Sequence, residues 1–201
     1  GFSPYKGIYL SGIANVTIKN TRVKHFYYGI GLHSSSSNSI IGNEITNNSQ
    51  SGIGLFGFSS NNNVSGNNIT NNGPAPGTYG GVGWAGIELS SSSGRNSISG
   101  NNITNNPSGI HLVSTSYNNI YGNDLLINGY GISIVSSSHN IIYRNNIASS
   151  DNLAGILFQW SSYNNIYGNN ISNNKEGIDL GSSYSNNIYH NNFINNTRQI
   201  T

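Results

Sequence analysis

The chain has 201 residues, of which 7% are charged, with a formal net charge of +2, five His and no Cys or Met. This balance gives no electrostatic case for nucleic acid or an anionic membrane, where clustered Lys and Arg are expected. The missing Cys excludes disulfides, thiolate metal sites and Cys nucleophiles without assigning a compartment, and no apolar run approaches the roughly 20 residues of a membrane span.

The chain opens without an initiator Met or a signal peptide, as a mature or excised segment does. From Gly7 a phrase of the form Gly-Ile-x-Leu recurs at Gly29, Gly52, Gly86, Gly109, Gly131, Gly155 and Gly177, with spacings of 22, 23, 34, 23, 22, 24 and 22 residues. Each unit continues Ser-rich, then reads Asn-x-Ile-x-Gly-Asn-x-Ile and ends in a polar turn. Period-2 alternation predicts three short strands per unit. The first points two residues inward: Ile8/Leu10, Ile30/Leu32, Ile53/Leu55, Ile87/Leu89, Ile110/Leu112, Ile132/Ile134, Ile156/Phe158 and Ile178/Leu180. The second supplies Ile18, Ile40, Val64, Ile98, Ile120, Ile142, Ile166 and Ile188. The third supplies Val23, Ile45, Ile69, Ile103, Leu125, Ile147, Ile171 and Phe193.

Strands this short do not form stable isolated hairpins. Stacked at about 4.8 Å per rung they give parallel sheets around an aliphatic core, and eight rungs give a rod roughly 40 Å long. Residues 1–201 thus read as one all-β domain, a single-stranded parallel β-helix of about eight 22–24-residue rungs. Leucine-rich repeats share the period but require LxxLxLxxN, which is absent. Asn38, Asn62, Asn96, Asn118, Asn140, Asn164 and Asn186 form one column. Asn43, Asn67, Asn101, Asn123, Asn145, Asn169 and Asn191 form another. Both suit amide ladders between rungs. Gly42, Gly66, Gly100, Gly122 and Gly168 sit at a corner between them. Arg144 and His190 replace that Gly, so a positive φ is not expected to be obligatory there.

The phrases GIHLVSTSYNNIYGND, GISIVSSSHNIIYRNN, GILFQWSSYNNIYGNN and GIDLGSSYSNNIYHNN resemble the right-handed parallel β-helix superfamily of pectate lyases. They resemble more closely the NosD-like repeats, a family named for a periplasmic copper-maturation protein. The resemblance covers nearly the whole chain and implies right-handed coiling. It says little of function, because such folds host lyases, hydrolases, adhesins and surface proteins.

Polysaccharide cleavage needs clustered acids, or a Ca²⁺ site with a base, and the chain has six acids. Glu176 and Asp179 are the best pair, read as solvated surface acids. Glu88, His111 and Ser133 fall on consecutive rungs in acid–base–nucleophile order. An exposed stripe offers no oxyanion hole, so they read as a surface column. His25, His33, His111, His139 and His190 share no ligand-like spacing, and Met is absent, so neither a metal nor another cofactor is assigned. Lys19, Arg22, Lys24 and His25 read as a solvated basic edge.

Tyr121, Tyr143, Tyr167 and Tyr189 form an outward column able to contact sugars or another subunit, or merely to stack on one another. The longer segment 73–85, GPAPGTYGGVGWA, reads as a protruding loop, with Tyr79 and Trp84 as binding candidates. Sequons occur at Asn15, Asn47, Asn63, Asn68, Asn102, Asn170 and Asn195. Residues 198–201 look like the start of a ninth rung. Uncapped ends imply flanking domains or stacking subunits, head-to-tail or lateral. The chain reads as a non-enzymatic, extracellular, N-glycosylated structural or adhesive β-helix, a module of a surface layer, fibre or carbohydrate-contacting protein that self-associates or is flanked by other domains. The alternative is a polysaccharide lyase or glycoside hydrolase, or a catalytically dead relative.

Overall fold

The computed structural model describes residues 5–76, 84–148 and 153–201. Its strands form three parallel sheets, one strand per sheet in each rung, with partners always one rung apart. Sheet A has nine strands: Ile8–Ser11, Ile30–His33, Ile53–Phe56, Ile87–Ser90, Ser108–Val113, Tyr130–Val135, Ala154–Gln159, Glu176–Gly181 and Arg198–Ile200. The last begins the ninth rung anticipated from the sequence. Sheets B and C have eight strands each, running from Thr17–Lys19 to Asn187–Tyr189 and from Arg22–Lys24 to Asn192–Ile194. Register follows the repeat: Ile110 pairs with Ile132, Ile120 with Ile142 and Leu125 with Ile147. The inward columns form one continuous core, water-free through the middle rungs.

The Gly that opens each sheet-A strand is a steric requirement. A Cβ on Gly52 would lie 2.8 Å from the Gly86 carbonyl oxygen and 2.8 Å from Ile69 on sheet C. Only a bare backbone lets the rung turn this tightly between sheets.

Both Asn columns are buried ladders. Asn101 donates its backbone N–H and its Nδ2 to Oδ1 of Asn123, at 3.1 and 2.9 Å, and Nδ2 also reaches the Val64 carbonyl at 3.0 Å on the rung before. A third ladder runs at the corner between sheets C and A: Asn48, Asn72, Asn106 and Asn128, then Asn174 and Asn196. These amides satisfy corner N–H groups that no strand reaches.

One expectation is corrected. Arg144 (φ 54°) and His190 (φ 53°) are left-handed, like Gly122 (φ 61°), so the positive φ holds with or without Gly. Pairing with the rungs above and below fixes the corner, and the side chain bears the local strain.

Candidate binding face on sheet A

The outward positions of sheet A carry Tyr9, Gly31, Gly54, Glu88, His111, Ser133, Leu157 and Asp179 in register. Alternation points them to solvent, yet Glu88 is 3% exposed, His111 6% and Ser133 3%. The expectation of a flat exposed stripe is therefore wrong. Two outward glycines lie in the same column. Gly54 leaves room for the Phe56 ring, which a Cβ there would meet at 2.1 Å, and Gly31 does so for Tyr9. Phe56 packs on Tyr28 with ring centroids 5.1 Å apart, making an aromatic wall on the second and third rungs.

Beyond that wall lies a polar floor. The Ser51 hydroxyl donates to Oε2 of Glu88 at 2.9 Å and accepts the Ala85 N–H at 3.3 Å. Burial raises the Glu88 carboxyl, partly offset by this bond, and burial with Glu88 nearby raises the Tyr28 phenol. Ser108, in register with Tyr130, is buried too. His111 is held neutral by burial, its pKa lowered to about 4. Its Nε2 is buried with no hydrogen-bond partner among the described residues. Glu88, His111 and Ser133 stand on consecutive rungs, no hydrogen bond joins them among the described residues, and Glu88 is turned to Ser51.

The far end is acidic. Tyr130, Leu153, Ala154, Lys175, Glu176 and Asp179 line a pocket of about 110 Å³. Burial raises the Asp179 carboxyl, and the charge of the adjacent Glu176 raises it further. Glu176 is ion-paired with Arg198, its side chain 15% exposed, and accepts from the Thr201 hydroxyl at 3.1 Å. These are not the solvated acids expected from the sequence.

The other candidates lie elsewhere. Tyr121, Tyr143, Tyr167 and Tyr189 stack on sheet B with centroids 4.9, 5.2 and 5.1 Å apart and planes within 12°. Their faces are occupied by one another, so the column presents edges, which disfavours sugar stacking on its inner rings. Trp84 is half-buried, and Tyr79 lies outside the described residues with the rest of 77–83. Asn15, Asn47, Asn68, Asn102 and Asn195 are exposed, and Asn63 and Asn170 half-buried. Arg22 pairs with Glu44 at 2.8 Å on the basic edge. Sequence reasoning missed Tyr28, Ser51, Phe56, Ser108 and Tyr130; the outward Gly31 and Gly54 were the available signal.

Residues 2–125 match the family model described as Right handed beta helix region, and residues 127–201 match the one described as Periplasmic copper-binding protein (NosD). The first match alone covers more than half of the chain, and the protein belongs to the right-handed β-helix family. No curated protein matches it. Among solved structures it is similar to a point variant of the periplasmic alginate epimerase AlgG, at 20% identity and TM-score 0.78, covering 94% of this chain and 47% of that one. It is similar to DFA-IIIase from Arthrobacter chlorophenolicus A6, at 17% identity and TM-score 0.70, covering 87% and 47%. It is also similar to an alginate lyase from Paenibacillus sp. str. FPU-7, at 18% identity and TM-score 0.56, covering 99% and 78%. The chain thus spans about half the length of the first two, and these likenesses establish the fold alone. The NosD description raises copper. Among the described residues no three His, Cys, Asp or Glu gather as a metal site. With no Cys or Met in the sequence, the soft donors Cu(I) prefers are missing. The residues present do not fit a copper site.

Proposed function

We propose that this chain is the carbohydrate-binding β-helix of an exported protein, extracellular or periplasmic, which engages a glycan on the outer face of sheet A and does not cleave it. The observation that carries the reading is the buried row Glu88–His111–Ser133 with the unused Nε2 of His111. A buried polar atom left without a partner calls for an explanation, and a glycan that reaches it as the face opens supplies one. A neutral imidazole and a carboxyl whose pKa burial raises suit sugar hydroxyls, and Tyr28 and Phe56 supply an apolar wall. The similar solved structures, an alginate epimerase and an alginate lyase by name, support carbohydrate as the ligand class. The laddered corners support a second element of the proposal, a stiff rod serving in a surface layer or fibre.

One observation favours an enzymatic second reading. Glu88, its carboxyl raised by burial, lies on the rung next to a neutral His111, an arrangement that acid–base chemistry also uses. The test is to incubate the protein with polyuronates and fructans. Unsaturated products, new reducing ends and changes in sugar stereochemistry are followed by absorbance and NMR, alongside calorimetric binding. Binding without turnover is expected. Turnover that disappears in Glu88→Gln or His111→Ala replaces the binding reading with the enzymatic one.

A further inference from the structure

A second site lies where sheet A hands over to sheet B. From the inward Leu of sheet A to the next buried Asn, most rungs take six positions, as from Leu112 to Asn118. The third and fourth rungs take seven, Leu55 to Asn62 and Leu89 to Asn96. The extra residue widens both turns. In the fourth rung, Gly94 also stands where the neighbouring rungs carry Ser60 and Ser116, so a side chain is missing from the column. The result is a pocket of about 260 Å³ lined by Ser60, Ser92, Gly94, Arg95 and residues 114–117.

Its chemistry is one-sided. The Arg95 guanidinium lies 5.7 Å from the Tyr117 ring centroid and forms no ion pair among the described residues. None of the lining residues is acidic; the described acids stand on sheet C (Glu44, Asp124) or on the sheet-A face (Glu88, Glu176, Asp179). The Ser60 and Thr115 hydroxyls are engaged with the carbonyls of Phe58 and Ser93, and Ser116 accepts from the Ser138 N–H at 3.3 Å. Those of Ser92 and Ser114 are exposed and make no side-chain hydrogen bond among the described residues.

The backbone makes the residue choice informative. Arg95 (φ 58°), Tyr117 (φ 64°), His139 (φ 58°) and Tyr163 (φ 60°) all occupy the left-handed corner that Asn61 (φ 57°) fills in the third rung. Asn or Gly costs least there, and bulky residues are rare. Four successive rungs nonetheless carry large side chains. Tyr117, His139 and Tyr163 stack at 5.1 and 5.6 Å, so a ridge runs along the rod from the pocket.

We infer that this pocket binds a carboxylated sugar unit of an acidic polysaccharide, the carboxylate on Arg95, the sugar hydroxyls on Ser92 and Ser114, and the chain running beside the aromatic ridge. The site uses no residue of the sheet-A face and stands independently of the reading above. Free phosphate or sulfate shares the anionic chemistry with the carboxylate. The hydroxyl pair and the ridge select the sugar.

The test is affinity electrophoresis and calorimetry with polygalacturonate, with neutral dextran and with inorganic phosphate. Arg95→Asn restores the residue that the third rung uses and so keeps the corner. It is expected to weaken polygalacturonate binding by about tenfold or more, the loss of a charge-assisted hydrogen bond. Arg95→Lys should recover part of it, and His111→Gln should leave the Arg95-dependent part unchanged. Added salt should weaken binding of the wild type more than of Arg95→Asn. Unchanged polygalacturonate affinity in folded Arg95→Asn overturns the inference. So does equal loss of dextran binding, or Arg95-dependent binding of phosphate without binding of polygalacturonate.

Discussion

Asn123 measures what the ladders are worth. In Asn123→Leu the side chain keeps its four heavy atoms and branched shape, with bulkier methyl groups, and loses every polar bond. The buried backbone N–H of Asn101 loses its acceptor, Oδ1 of Asn123 at 3.1 Å. The carbonyls of Ile98 and Tyr121 lose the Nδ2 that donates to them at 3.0 and 3.1 Å, and Oδ1 of Asn145 loses one of its donors at 2.9 Å. The Tyr121 carbonyl keeps the Gly100 N–H and Asn145 Oδ1 keeps the Asn123 N–H, so the Asn101 N–H and the Ile98 carbonyl bear the loss, and at about 1–3 kcal/mol for each unpaired buried group the total is about 2–6 kcal/mol. That is a large part of the roughly 5–15 kcal/mol of a typical domain. Asn102→Ala is the control. Asn102 is exposed, donates to Oδ1 of Asn68 at 3.1 Å in a similar ladder, and should cost within about 0.5 kcal/mol. Urea unfolding gives the totals, and hydrogen exchange reports the Asn101 amide itself. If Asn123→Leu unfolds within about 0.5 kcal/mol of the wild type and the Asn101 amide stays protected, the ladders are not what closes the corners.

The remaining predictions address core, corner, pH and assembly. Ile132→Asn places an unpaired amide in the core, where Ile132 is wholly buried, and should lower stability by about 3 kcal/mol or more, read by thermal unfolding. Arg144→Gly relieves a left-handed corner and should stabilise by about 1 kcal/mol in urea unfolding. His111, with its folded pKa lowered to about 4 and an unfolded value near 6.5, contributes stability that is present above about pH 6.5 and lost as pH falls toward 4. Glu88, raised by burial, acts oppositely, so the comparison belongs in a Glu88→Gln background. There His111→Gln should flatten the acid-side loss of about 3 kcal/mol. Lateral self-association is proposed to use the edges of the Tyr ladder. The double variant Tyr143→Ser, Tyr167→Ser should then lower any association seen by sedimentation, and identical sedimentation of the two proteins removes the ladder from the interface.

The fold was legible because each rung repeats the same physics. Columns such as Ile98–Ile120–Ile142 announce a shared buried position, and the flanking Asn announce the corners. The third Asn ladder was harder to read, because its residues lie in variable turns and residues 149–152 interrupt the described part of its column. The site was barely legible. Alternation correctly placed Glu88, His111 and Ser133 on the outer side and in adjacent rungs. It is blind to shielding, and to rings that fold across outward glycines, as Phe56 does over Gly54 and Tyr9 over Gly31. Reading Arg144 as evidence against a left-handed corner failed for a related reason. A propensity describes one residue, whereas stacked neighbours on both sides dictate this backbone. Arg95 escaped notice because a single cation carries no periodic signal; the extra turn residue beside it does.

The central claim is that a glycan meets His111 on the outer face of sheet A, and NMR of the protein with isotope-labelled histidine tests it most directly. The five His report from different places on the rod, and His111 is the one whose Nε2 is buried and unpartnered. Titration with polyuronate or fructan oligosaccharides should shift the His111 ring signals saturably, at the concentration where calorimetry shows binding, while those of His25 and His190 stay in place. Saturable binding that leaves the His111 signals unmoved contradicts the account.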